Sequence, residues 1–215
     1  MIEKMRDPAS GLTHLGAAVA AVFGSAVLIL IGGTSLVKIV ALSVYGLSLV
    51  FLFGSSAAYH LIKAEPKTIV YLRKLDHTAI YVLIAGSYTP ICAIMLTGFW
   101  RWGFLAVVWA LAASGIIFKM FILATPRWVT AGVYVLLGWL GVVAAGEVKR
   151  ALPGGAVIGL AIGGLIYTVG AVIYITKKLD LFPGKFGFHE VWHLFVILAA
   201  LAHFITIAVY IAPAG

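Results

Sequence analysis

Residues 189–203 read HEVWHLFVILAALAH, and the rest of the chain is interpreted outward from them. A helix turns about once per 3.6 residues, so His189 and His193 share a face one turn apart and aim two imidazoles at one point. His203 lies ten residues beyond His193, roughly 15 Å further along the axis and about 80° round it, and so belongs to a different layer. The surrounding residues are apolar. An ionisable group inside an apolar span marks a functional site whose partners must come from elsewhere in the chain.

The composition says what kind of environment this is. The chain has 215 residues, 63% hydrophobic and 10% charged, with a mean hydropathy of +1.13. That is too apolar for a soluble domain of this size and indicates an integral membrane protein. Seven apolar windows can be marked, at about 12–31, 37–61, 77–99, 102–124, 128–145, 155–175 and 189–211. At roughly 20 residues per span they fill the chain, so the expected architecture is an all-α, seven-transmembrane-helix bundle forming one domain, residues 1–215. The first window follows Lys4 and Arg6 but lacks a small-residue cleavage site, and is taken as a retained helix. The formal charge of +8 sits in short loops between spans, where topology and anionic headgroups account for it, so nucleic acid is excluded as a partner and membrane lipids are expected. Cys92 is the only cysteine and lies within a span, which excludes a disulfide or a thiolate metal site within one chain. No oligomeric state follows from the residues.

Short basic loops remain cytoplasmic, which orients the bundle. With the N-terminus inside, eleven basic residues lie on the cytoplasmic side: Lys4, Arg6, Lys63, Lys67, Arg73, Lys74, Lys119, Arg127, Lys177, Lys178 and Lys185. Only four, Lys38, Arg101, Lys149 and Arg150, lie opposite. An odd number of spans then places the C-terminus outside. Three features shape the packing. Gly155, Gly159 and Gly163 recur every fourth residue, which lets a neighbouring helix approach closely. Pro90 interrupts the third span and frees a carbonyl that Ser87 or Thr89 can help satisfy. Phe182-Pro183-Gly184 makes a corner before the last span. The tryptophans near span ends, Trp100, Trp102 and Trp128, suit interfacial anchoring.

This topology gathers polar groups into one layer. His60 ends the second span, with Ser56 one turn deeper on the same face. Asp76 opens the third, and His189 and His193 open the seventh. All five fall at the cytoplasmic side, in a cell-membrane protein of the multi-pass kind. Three neutral histidines form a catalytic zinc set, because they leave the ion its full charge and a fourth tetrahedral position. Asp76 then either acts as a base toward water or supports a ligand imidazole from behind; the spacing allows both. Asp76 could also be a helix-start charge paired with Arg73 or Lys74. His77 points about 100° away from Asp76 and is expected to be structural. His14 lies on the same side, and His203 is a candidate for an interhelical hydrogen bond or a cavity residue.

Three stretches, SSAAYH (55–60), KLDHTAIYVLIAGSYTP (74–90) and FPGKFGFHEVWHLFVILAALAHF (182–204), resemble the hemolysin III branch of the progestin and adipoQ receptor family, which includes the adiponectin receptors. They carry the family's serine-x-x-x-histidine, aspartate and histidine-x-x-x-histidine elements. The resemblance implies zinc on His60, His189 and His193, with Asp76 at the water on the metal and Ser56 beside it. Where the family often has glutamate and asparagine before a threonine-histidine pair, this chain has Asp7, Ser10, Thr13 and His14, so no family role passes to His14. Three functions compete. A zinc-dependent hydrolase would act on a lipid amide of the ceramide type and influence membrane lipid homeostasis. A pore or cytolysin requires a continuous polar lumen, whereas the polar groups here concentrate at one face. A sensor of membrane state would use zinc as a clamp between the second and seventh helices.

Overall fold

The computed structural model describes residues 5–182 and 186–214. Among them are seven helices long and apolar enough to cross a membrane: α1 (Pro8–Gly32), α2 (Leu36–Leu61), α3 (Pro66–Met95), α4 (Gly98–Phe121), α5 (Arg127–Ala151), α6 (Gly154–Thr176) and α7 (Phe188–Ile211). Connections are short, so sequential helices run antiparallel. α1 packs on α2, α2 on α3 and α6 on α7, and a contact between α1 and α7 closes the ring. α3 is the most enclosed, with 61% of its apolar window buried against 17% for α1, whose residues Phe23 and Leu30 face outward. An all-round apolar helix of that kind needs lipid on its outer side.

The glycine stripe of α6 works as a docking face for α7. A side chain on Gly155, Gly159 or Gly163 would collide with Tyr210, Thr206 or His203 respectively. The absence of Cβ atoms at four-residue spacing therefore sets how closely α7, and with it His189 and His193, approaches its neighbour.

α3 differs from its expected extent. It begins at Pro66 rather than near 77, because residues 66–75 are helical but too polar to register as apolar span. Proline at the first helical position favours that start. Asp76 consequently lies in the third turn of the helix, and the expectation that it opens the helix is corrected. At Pro90 the helix passes into a π turn at Ile91–Met95. The hydroxyls expected to serve the carbonyl freed by Pro90 go elsewhere: Ser87 donates to Leu83 O at 2.8 Å and Thr89 to Ala85 O at 2.9 Å. Before α7, Phe182 and Phe186 exchange two backbone hydrogen bonds of 2.9 Å. Pro183, Gly184 and Lys185, like Lys4, lie outside the described residues.

Candidate metal centre

Three helix ends meet at one end of the bundle: the start of α1, the end of α2 and the start of α7. α2 delivers His60 and α7 delivers His189 and His193. Their ring centroids are 4.7 Å apart for His60 and His193, 4.7 Å for His189 and His193, and 5.2 Å for His60 and His189. One ring nitrogen from each lies within 4.8 Å of the others, and His60 and His193 are fully enclosed. Two ring nitrogens of these residues, His60 Nε2 and His193 Nδ1, are buried with no hydrogen-bond partner among the described residues. An orphaned buried polar atom costs about 1–3 kcal/mol, so two on converging rings require an external partner. A tetrahedral ion with bonds of about 2.0–2.1 Å holds such nitrogens about 3.4 Å apart, within reach of small ring rotations. The donor set fits a metal ion.

The residue that orients His60 is Asp7, which the sequence reading did not assign. Asp7 precedes Pro8 and caps α1. His60 Nδ1 donates to Asp7 Oδ2 at 2.9 Å, and the Asp7 backbone N–H donates to His60 O at 2.8 Å. Both ends of His60 are thereby tied to the first helix. A carboxylate on Nδ1 fixes the tautomer that leaves Nε2 free as a ligand. Burial alone would raise the Asp7 pKa, but the hydrogen bonds that its carboxylate accepts from His60 and Ser10 outweigh it and hold the carboxyl at about 2. The only trace of this role in the sequence is an Asp-Pro pair, which reads equally as an ordinary helix cap.

Asp76 is placed differently. Its carboxylate lies beside the buried Ser56 hydroxyl and has no ion-pair partner among the described residues; Arg6 and Arg73 act on it only through space. With α3 beginning ten residues earlier, the helix-start explanation for this charge falls away. The second-shell position behind His60 is held by Asp7, while Asp76 faces the space beside the three imidazoles. His14 stacks on His193 with centroids 4.0 Å apart, and its Nε2 lies 3.4 Å from His193 O. It backs the centre and is absent from the converging set. His77 is partly buried, and its Nδ1 has no partner among the described residues. His203 sits a layer deeper, with Nε2 3.2 Å from Leu160 O on α6.

Two cavities adjoin the centre. One, about 340 Å³ and walled mainly by apolar side chains, runs from His193 to Leu96 and Ile207 near the opposite end of the bundle. The other, about 510 Å³, is a polar vestibule carrying Arg6, Arg73 and Arg127. Asp76, His77 and His189 line both.

The profile of the family described as haemolysin-III related matches residues 2–204. The chain belongs to this family. Among its relatives, Hemolysin-3 of Bacillus cereus is 39% identical across 81% of this chain and 77% of the relative. The monocyte to macrophage differentiation factor of Homo sapiens is 29% identical across 93% and 82%. An adiponectin receptor protein of Drosophila melanogaster is 30% identical across 70% of this chain and 38% of the relative. These relatives place the chain in the hemolysin III branch of the progestin and adipoQ receptor family, as the three motif stretches implied.

Proposed function

We propose that this haemolysin-III-related membrane protein binds zinc at His60, His189 and His193 and hydrolyses a lipid amide, in the manner of a ceramidase, so influencing membrane lipid homeostasis. The observation that carries the reading is the position of the Asp76–Ser56 pair: it lies beside three converging imidazoles, where a polar vestibule meets an apolar cavity. A bound zinc would supply a Lewis acid that polarises a carbonyl and makes water more acidic. The protein's own groups account for the remainder. Asp7 holds His60 in its ligating tautomer. Asp76 takes a proton from water, and Ser56 fixes the Asp76 carboxylate by donating to it. The apolar cavity receives the acyl chain and keeps bulk water from it. Water adds across the C–N bond, giving a fatty acid and an amine, with the proton held on Asp76 passing to the amine.

This reading is favoured over a pore because the long cavity is walled mainly by apolar side chains rather than a polar lumen. It is favoured over a structural clamp because Asp76 faces the imidazoles without serving as one of the ligands or supporting His60. The test uses purified, zinc-loaded protein in nanodiscs with a panel of lipid amides and esters. Asp76→Asn should retain the metal and lose about 10²–10⁴-fold in turnover. Turnover equal to wild type would remove Asp76 from its role, and no turnover of any substrate by wild type would favour the membrane-state sensor. The site end of the bundle is assigned to the cytoplasmic face of the cell membrane on the distribution of eleven basic residues against four. A C-terminal reporter active only outside agrees with this; one active in the cytoplasm reverses it.

A further inference from the structure

The chain has five arginines, and the three at the site end of the bundle, Arg6, Arg73 and Arg127, all line the vestibule. Among the described residues, the lysines of that end, Lys67, Lys74 and Lys178 included, do not. Retention of basic loops on one side of a membrane makes no distinction between lysine and arginine and does not require either to face a cavity. Oxyanion recognition makes that distinction, because the guanidinium offers a planar fork matching phosphate oxygens. Two of the forks are held by rings: Arg6 lies 4.0 Å over Tyr59, and Arg127 lies 5.1 Å from the Phe188 ring centre and 5.5 Å from that of Tyr174. None of the three has an ion-pair partner among the described residues. Behind the wall, the buried Lys119 ammonium donates to the hydroxyls of Thr125 and Thr130, both of which line the vestibule, and has no ion-pair partner among the described residues. The positive charge at this mouth thus exceeds that of Asp7 and Asp76.

We infer that the vestibule is a headgroup site for a phosphate-bearing lipid, with Arg6, Arg73 and Arg127 gripping the phosphate and an acyl chain lying in the apolar cavity. The two cavities share Asp76, His77 and His189, so a lipid spanning both places the junction of head and chain against the histidines. This narrows the substrate of the proposed hydrolase to an acyl lipid with an anionic head in place of neutral ceramide. The catalytic consequence rests on the hydrolase reading; the binding does not.

Native mass spectrometry of the protein as purified, in mild detergent, tests it, with phosphatidic acid or diacylglycerol of the same acyl chains supplied at equal concentration. Wild type should retain one phosphatidic acid per chain and release diacylglycerol. Retention should fall about tenfold or more in the triple variant Arg6→Gln, Arg73→Gln, Arg127→Gln. It should also fall, to a smaller degree, in Arg73→Gln alone, whose side chain contributes no ring contact or ion pair among the described residues. Lys67→Gln, Lys74→Gln, Lys178→Gln removes equal charge and should change nothing. Equal retention of diacylglycerol, equal loss in the lysine triple, or no loss in the arginine variants would overturn the inference. So would displacement of phosphatidic acid by an equimolar amount of inorganic phosphate, which would mark a free-anion site. Selective retention without turnover of any lipid would count against the hydrolase alone, whereas turnover of neutral amides without selective retention would count against the headgroup site alone.

Discussion

α7 carries two layers of histidine that look alike in the sequence and differ in the structure. His189 and His193, at one end, converge with His60, and nitrogens of His60 and His193 are left without a partner among the described residues. His203, ten residues deeper, is half-buried, and its Nε2 lies 3.2 Å from Leu160 O across the glycine stripe of α6. Both layers sit in apolar surroundings where an unpaired polar group is costly. One layer is satisfied within the protein and the other is not. Apolar surroundings and residue type are common to both, so what separates a candidate metal centre from a helix–helix contact is whether other helices bring further ligands or a carbonyl.

The comparison breaks most readily at the ligands. His193→Ala should take zinc from one per chain to none, measured by elemental analysis of purified protein. It should also lower the midpoint of thermal unfolding, because a metal bound only by the native state stabilises that state. His60→Ala and His189→Ala should behave alike. Zinc stoichiometry unchanged in all three would remove the assignment altogether. Chelation of the wild type should reproduce the loss of stability, and chelation of His193→Ala should add nothing to it.

A smaller effect is expected one step away. Asp7→Ala removes the carboxylate that fixes the His60 tautomer but leaves all three imidazoles, so zinc should still bind with affinity reduced about 10–100-fold. A competition titration against a chromophoric chelator measures this. Asp7→Asn keeps an oxygen acceptor for His60 Nδ1 and should recover part of the loss. Affinity equal to wild type in Asp7→Ala would reduce Asp7 to an ordinary cap of α1.

The residues that were easy and hard to read follow a physical pattern. The seven spans are legible because hydropathy depends on local composition, and the histidine pair of α7 is legible because four-residue spacing fixes a shared face. His60 joins them through topology alone. The start of α3 is not legible from hydropathy, since Lys67, Arg73 and Lys74 belong to a helix that extends beyond its apolar part. Asp7 could not be assigned to His60, because that contact joins positions 53 residues apart and its local pattern is that of a cap. Lys119 reads as a cytoplasmic-side topology charge at the end of the fourth span but is buried on two threonine hydroxyls from the next connection and helix. Arg6, Arg73 and Arg127 read as topology signals. Only the fold shows that they face one cavity.

The smallest expected effect on the metal comes from His203, and it sharpens the contrast between the layers. His203→Ala should leave zinc at one per chain and its affinity unchanged, since the ring lies roughly 15 Å along α7 from His193. It should still cost stability. The ring fills the space over Gly163 and meets Leu160 O, so its loss leaves a gap and removes one interhelical hydrogen bond, together about 1–3 kcal/mol. The Leu160 carbonyl keeps its place in the α6 helix, which holds the cost toward the lower part of that range. Gly163→Ala approaches the same contact from the other side: the added methyl collides with the His203 ring and should destabilise the α6–α7 pair by overpacking. Zinc affinity and unfolding midpoint, measured together on both variants, separate two outcomes. Stability falling with affinity held means the layers are independent. Affinity falling with stability means that α7 shifts as a unit along the glycine stripe, and that the distance between His193 and His60 is set as much by α6 as by Asp7.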